Sequence, residues 1–109
     1  DAFYVPTDNT VVSAFEAVVK VGIDAKTPVF AGDTDSVERG AIAALGFNYY
    51  EVGRQTGELV VRILKGEKAG DIAVSGVRKM DLWLNLASAE KMGVTVPDAM
   101  VGEATKVFR

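Results

Sequence analysis

The sequence predicts an α/β protein in three layers, with a mostly parallel sheet that carries helices on both faces. Two observations support this fold class. Short apolar runs alternate along the chain with longer stretches that have the periodicity of an amphipathic helix. Small polar and acidic residues directly follow two of the apolar runs, as they do at strand ends in open α/β sheets. Helical connections between strands favour parallel pairing.

The first part of the chain predicts two strands separated by a helix. Ala2–Val5 is a short apolar run that ends at a proline. Thr10–Val21 has apolar residues on one side of a helix, and the glycine that follows is typical of a helix end. Val29–Ala31 is the second apolar run and predicts a buried strand.

Two short segments follow the second strand. Asp35–Glu38 has the spacing of a capping box, which predicts a short helix capped by Asp35 or Ser36. Ala41–Phe47 fits either a helix or a strand, because alanines favour a helix and a short apolar run favours a strand. We prefer a strand, since a glycine and an asparagine bound the run closely.

The second half of the chain predicts the remaining elements. Tyr50–Lys65 is the longest predicted helix, and Ile72–Val74 is a weak strand. Met80–Leu86 alternates apolar and other residues as a strand with one buried face does. Ala87–Met92 predicts a short helix, and Thr105–Phe108 could form a last strand.

Two glycines, Gly53 and Gly57, lie inside the predicted helix Tyr50–Lys65. Each costs about 1 kcal/mol relative to alanine in a helix interior. Their spacing of four places both on one side of the helix. We therefore expect this side to pack closely against a strand.

The composition excludes several classes of function. A chain of 109 residues suffices for one domain with one core. The net charge of −3 provides no basic surface for nucleic acid. The absence of Cys and His excludes cysteine nucleophiles, Ser-His-Asp triads and thiolate or imidazole metal sites. We expect no enzyme activity, no cofactor and no metal. The sequence begins on a strand and without Met, so we expect a piece of a longer protein.

Polar residues after the first two strands form the predicted site. Asp8 and Asn9 follow the first strand, and Asp33, Thr34 and Ser36 follow the second. These residues could cap helices or contact a ligand, and both roles can coexist. Carboxylates suit the ammonium group of an amino acid, while hydroxyls and backbone N–H groups suit its carboxylate. Asp33 is the preferred ligand contact, because Asp35 has a capping-box partner and Asp33 has none.

The acidic residues are also consistent with one kind of enzyme, but the sequence lacks a residue that this enzyme requires. A phosphoacceptor receiver domain uses an aspartate at a strand end together with further acids for a metal. It also needs a lysine at a later strand end, and Ala41–Phe47 has none there. We therefore disfavour this alternative.

Five blocks of the sequence, in this order, resemble one known family. The blocks are Thr7–Val12, Pro28–Asp33, Gly40–Gly57, Ile63–Gly66 and Asn85–Pro97. The chain resembles the ABC-transporter substrate-binding proteins related to the tryptophan/tyrosine-binding type. The match covers nearly all of this chain, but only about the last third of the family's length.

The resemblance implies a type I periplasmic binding protein fold with two α/β lobes joined by three crossing segments. A small polar ligand, with an aromatic amino acid as the leading expectation, would bind between the lobes. The closed protein would then dock on a membrane permease of an ABC importer. The resemblance also implies a periplasmic or other extracytoplasmic location, often with a lipid anchor at an N-terminal cysteine.

The family topology also implies how this α/β unit of residues 1–109 divides between the lobes. Residues 1–49 would belong to the second lobe, residues 50–86 to the first lobe, and residues 87–109 to a C-terminal return segment. Such a piece could pair with a second copy as a homodimer.

The competing hypothesis is the ligand-sensing core of a transcription regulator on the same fold. A basic helix-turn-helix region would support that hypothesis, and this sequence has none.

Overall fold

The strands form one five-stranded sheet. The computed structural model describes all 109 residues. The strands lie in the order β1 (Phe3–Val5), β2 (Val29–Ala31), β3 (Ala43–Gly46), β4 (Asp81–Asn85) and β5 (Lys106–Phe108). Three neighbouring pairs are parallel, and only β3 and β4 run antiparallel. The chain is therefore an α/β protein with a mostly parallel sheet, as the sequence predicts.

Six α-helices and one 3₁₀ turn connect the strands. They are α1 (Asn9–Ser13), α2 (Phe15–Asp24), α3 (Asp35–Glu38), α4 (Tyr49–Leu64), the 3₁₀ turn Ala69–Asp71, α5 (Leu86–Lys91) and α6 (Asp98–Glu103). The helix predicted over residues 10–21 is two helices, because the backbone of Ala14 leaves the helical region with φ −119° and ψ 27°. The break separates the short helix α1 from the core helix α2.

Two further details differ from the sequence prediction. Residues 72–74 form no strand, so that prediction is wrong. The run is only three residues long, Val74 is fully exposed, and no strand of the sheet pairs with this segment. Helix α6 was not predicted. It follows Pro97, and the partly buried Val101 and Ala104 near its end pack against the core.

Helices α2, α3 and α5 pack on one face of the sheet. Gly22 of α2 lies against Val29, and Met92, directly after α5, approaches the same glycine. On α3, the backbone oxygen of Val37 accepts a hydrogen bond from the buried side chain of Asn85. Residues 94–97 and α6 lie on the other face, where Met100 lines an apolar groove with strand residues.

The chain divides into two compact units. The first contains residues 1–46 and 81–109 and holds the whole sheet, and the second contains residues 47–80. The first junction lies close to the predicted boundary at residue 50. Strand β4, which falls in the range predicted for the first lobe, pairs with β3 inside the first unit. The assignment of these ranges to lobes stays a prediction.

A bidentate ion pair joins α2 to the residue that follows α3. Arg39 donates from Nε and Nη2 to the two carboxylate oxygens of Glu16, at 2.7 and 2.8 Å. The guanidinium also lies over the buried ring of Phe15, 5.5 Å from its centroid. These hydrogen bonds from Arg39 lower the pKa of Glu16 from 4.5 to about 2. The pair fixes the distance between two helices that follow neighbouring strands.

Gly22→Ala should destabilise the first unit. A Cβ at Gly22 would lie 2.5 Å from Val29 Cγ2 and 2.9 Å from the backbone oxygen of Thr27. Overpacking a core costs about 1–3 kcal/mol, more than the ~1 kcal/mol that alanine gains over glycine in a helix. Urea denaturation measures the change. Gly102→Ala on α6 is the control, because no atom lies within 4 Å of a Cβ there. Equal stability of the two variants would contradict this packing.

The Glu16–Arg39 pair should make stability depend on pH in acid. Because folding lowers the pKa of Glu16, the pair stabilises the folded state above pH 4.5. This contribution should disappear as the pH falls from 4.5 to about 2. We expect the urea midpoints of the wild type and of Arg39→Gln to differ at pH 6 and to converge toward pH 2. A difference that stays constant over this range would refute the prediction.

Candidate functional site

The carboxyl ends of three neighbouring strands meet at one edge of the sheet. Because β1, β2 and β3 are parallel neighbours, the loops that follow them leave from the same edge. The loop after β1 carries Asp8 and Asn9, and the loop after β2 carries Asp33 and Thr34. The predicted site residues of both loops therefore lie in one region of the first unit. This edge is where ligands bind in open α/β sheets.

Two glycines allow the loops to pack this closely. A Cβ at Gly32 would lie 3.0 Å from Tyr4 Oη and 3.4 Å from the backbone nitrogen of Thr7. A Cβ at Gly46 would lie 3.0 Å from Thr34 Cγ2 and 3.2 Å from its backbone nitrogen. The backbone N–H of Gly32 also donates to Val5 at 2.8 Å. Each loop thus packs against the end of the neighbouring strand.

Asp8 caps helix α1. Its Oδ1 atom accepts from the backbone N–H groups of Thr10 and Val11, at 2.9 and 3.0 Å. The predicted capping role of Asp8 is therefore confirmed, and the side chain is exposed in that position. Asn9 begins α1 and is also exposed. The capped carboxylate is held in one orientation, while its second oxygen is free of the cap.

The prediction that Asp35 or Ser36 caps α3 is wrong. The carboxylate of Asp33 takes this role, with Oδ1 accepting from the backbone N–H of Ser36 at 2.9 Å and Oδ2 from its hydroxyl at 2.8 Å. Asp33 lies three residues before Ser36, the spacing at which a side chain reaches a free N–H of the first turn. Asp35 is exposed instead. The argument that Asp33 is free of capping therefore fails.

The hydrogen bonds of Asp33 leave it available as an acceptor. Each carboxylate oxygen has two lone-pair sites, and Ser36 occupies one on each oxygen. Asp33 and Thr34 are half-buried at the edge, whereas Ser36 is only 1% exposed. The buried Ser36 thus orients the carboxylate of Asp33. The carboxylates of Asp8 and Asp33 are therefore oriented acceptors at this edge, and carboxylates suit a cation such as an ammonium group.

The exposed aromatic residues lie in both units. Tyr4, on β1, is 67% exposed, and its hydroxyl lies beside Gly32 at the edge. In the second unit, the rings of Phe47 and Tyr49 meet edge to face with their centroids 5.1 Å apart, and Tyr50 is exposed. Of these residues, Tyr4 is the one that belongs to the same unit as the acidic edge.

Three features of the site were not predicted from the sequence. Gly46 leaves room for the loop at Thr34, and the hydroxyl of Ser36 donates a hydrogen bond to Asp33. The Arg39–Glu16 pair joins the helices that follow the two loops. Glycine directly after an apolar run is the signal that could have indicated Gly46. No local pattern indicates the ion pair, because its partners are 23 residues apart.

The structure contains no group of three or more acidic side chains arranged to hold a metal ion. None of its helices has the length and apolar character needed to cross a membrane.

Two solved structures resemble this chain closely. A conserved domain protein from Vibrio cholerae matches 98% of the chain at 45% identity with a TM-score of 0.82, and the chain covers 36% of that protein. An ABC domain from Streptococcus pneumonia in complex with L-Trp matches 99% of the chain at 33% identity with a TM-score of 0.81, and the chain covers 37% of it. Both identities are high enough to indicate more than a shared fold.

Sequence comparison agrees with the structural comparison. A tyrosine-binding protein from Clostridioides difficile is 39% identical over 85 residues, which are 78% of this chain and 25% of that protein. The chain thus spans between a quarter and about a third of the relatives that it matches. Residues 1–108 match the family described as ABC transporter substrate binding protein. The chain belongs to the ABC transporter substrate-binding protein family.

Proposed function

We propose that this chain is part of the solute-binding component of an ABC importer and that it contributes one wall of the ligand site. The observation that carries the proposal is the acidic edge formed by the loops after β1 and β2. The similarity of the chain to a tyrosine-binding protein and to a domain in complex with L-Trp supports an aromatic amino acid as the ligand. The ligand class rests on these relatives together with the charge of the edge.

In this proposal, Asp8 and Asp33 accept hydrogen bonds from the ligand's ammonium group. Asn9 and Thr34 complete the polar contacts, and Ser36 acts through Asp33, whose carboxylate it orients. Both carboxylates are already held by backbone N–H groups, so little side-chain freedom is lost when a ligand binds. The preorganised edge therefore favours affinity for a primary ammonium.

The proposed mechanism is binding and closure without any bond chemistry. The loops of this chain would form one side of the cleft, and a second lobe would supply the opposite side. Closure would bury the ligand and present the closed form to a membrane permease. The proposed role implies a location outside the cytoplasm, with a lipid anchor as one means of retention.

A chimera provides a complete protein in which the site can be measured. In the chimera, this chain replaces the region of the Vibrio cholerae protein that it matches. Asp33→Asn should weaken binding of L-tryptophan or L-tyrosine about 10- to 100-fold, since a hydrogen bond to a charged group contributes about 1.5–3 kcal/mol. The asparagine keeps an acceptor oxygen for Ser36, so the cap of α3 is retained. Isothermal calorimetry measures the affinity.

Asp35→Asn is the matched control for this experiment. Asp35 is an exposed acid at the start of α3, two residues after Asp33. The Asp35→Asn chimera should bind the amino acid as tightly as the unchanged chimera does. This result would separate the role of Asp33 from a general loss of negative charge. If the two variants bind equally well, the proposed site is wrong. If the unchanged chimera binds neither amino acid, the proposed ligand class is wrong.

Pairing of two copies of this chain is a separate prediction about its oligomeric state. Light scattering on the 109-residue chain tests it. A monomer that melts cooperatively would contradict obligatory pairing.

A further inference from the structure

Helix α3 is too short to hold its own shape. It contains a single turn, Asp35–Glu38, and forming one turn fixes several backbone angles for one hydrogen bond. Such a turn persists only when other parts of the molecule hold it. The orientation of Asp33 depends on this turn, because both of its carboxylate oxygens accept from Ser36. A residue that holds α3 therefore also holds the proposed ligand contact.

The side chain of Asn85 holds α3 from β4. Asn85 is the last residue of β4 and is 8% exposed. Its Nδ2 atom donates to the backbone oxygen of Val37 at 2.9 Å, and its Oδ1 atom accepts from the backbone N–H of Ser88 at 2.9 Å. One buried amide thus joins α3 to the first turn of α5.

The two hydrogen bonds require an amide at position 85. The carbonyl of Val37 needs a donor and the N–H of Ser88 needs an acceptor, and asparagine carries one of each on a short side chain. A helix cap alone does not need the donor, because serine and aspartate cap helices about as well as asparagine does. The donating half of the amide therefore serves the contact with α3.

Other polar contacts to this turn are local or exposed. The backbone N–H of Gly40 donates to the same oxygen of Val37, at 3.2 Å, from three residues along the chain. The Arg39–Glu16 pair follows the turn, but its side chains are 32% and 66% exposed. Water weakens an exposed ion pair, whereas a buried hydrogen bond acts in a medium of low dielectric constant. The bond from Asn85 is therefore a stronger restraint than the ion pair.

Asn85 is too far along β4 to touch a ligand at the acidic edge. Asp81, at the start of β4, pairs with Gly46 at that edge. Asn85 lies at the other end of the strand, about 13 Å away at 3.3 Å per residue. Its backbone N–H donates to Ile42, just before β3 begins. An effect of Asn85 on a ligand at the edge therefore passes through α3.

We infer that Asn85 is a positioning residue of the ligand site. It fixes α3 through Val37, and Ser36 of the same turn fixes the carboxylate of Asp33. This path crosses one peptide bond and contains no exposed side chain between Asn85 and Asp33. The inference rests on the proposed function, because Asp33 is its endpoint, but one part of its test needs no ligand.

Hydrogen exchange in the ligand-free chimera tests the restraint on α3. Asn85→Ser keeps an acceptor for the cap of α5 and removes the donor that reaches Val37. The Ser36 amide, which donates to Asp33, should exchange at least about tenfold faster in this variant, because α3 opens more often. The Ser88 amide should keep its rate, since its cap remains. Equal acceleration at both amides, or at neither, would overturn the inference.

Calorimetry of the same chimera tests the effect on the ligand site. Asn85→Ser should weaken binding of L-tryptophan or L-tyrosine about 3- to 10-fold, because Asp33 occupies the binding orientation for a smaller fraction of the time. Gly22→Ala is the matched control. It should lower the stability of the same unit and leave the affinity unchanged, since its Cβ presses on Val29 and Thr27. Equal affinities of the two variants would contradict a positioning role.

A double variant tests whether Asn85 acts through Asp33. In the Asp33→Asn chimera, Asn85→Ser should weaken binding by less than about twofold, because the contact that it positions is already lost. Effects that multiply would overturn the inference. The single variants separate it from the proposed function. If Asp33→Asn binds as the unchanged chimera does, the proposed site is wrong; if only Asn85→Ser does so, the inference alone is wrong.

Discussion

Parallel pairing of β1, β2 and β3 is the constraint from which the candidate site follows. It sends three successive chain segments out of the sheet at one edge, so residues separated by some 25 positions become neighbours. Gly32 and Gly46 complete the arrangement, because a side chain at either position would meet the adjoining loop. The acidic character of the edge therefore depends on backbone geometry as much as on the acids themselves. A larger residue at either glycine would separate the loops without changing any charge.

Two side-chain caps and one ion pair hold the helices that follow this edge. Asp8 holds the first turn of α1, and Asp33 holds the first turn of α3 through Ser36. The Arg39–Glu16 pair joins α2 to the end of α3. Exposed ion pairs usually contribute little to stability, but a two-pronged guanidinium contact adds geometric restraint. The same side chains that begin the helices thus also present carboxylate oxygens at the sheet edge.

Local sequence patterns predicted most of the strands and helices, with a few errors. Short apolar runs predicted β1, β2 and β4, and the preference for a strand in the ambiguous run Ala41–Phe47 was correct. Gly66 and Gly93 follow helix ends as predicted, whereas Gly22, expected to end a helix, lies inside α2. The cap of α3 was assigned to Asp35 or Ser36, because a capping-box pattern describes only spacing. In the structure Asp33, two residues before Asp35, accepts from the backbone N–H of Ser36. Helix α6 was missed because its few apolar contacts are with distant residues. The ion pair between Glu16 and Arg39 has no local signature at all.

The antiparallel pairing of β3 with β4 has a topological consequence. In this antiparallel pair, Ala43 lies opposite Leu84 and Gly46 lies opposite Asp81. The chain therefore leaves the sheet at Gly46 and returns to it at Asp81, which is the cross-strand partner of Gly46. Residues 47–80 thus occupy the place of the turn in a β-hairpin. A two-residue Asn-Gly turn could join Gly46 to Asp81 directly. Because the entropy of loop closure grows only slowly with length, the sheet can accept exchange or enlargement of the polypeptide carried at that turn.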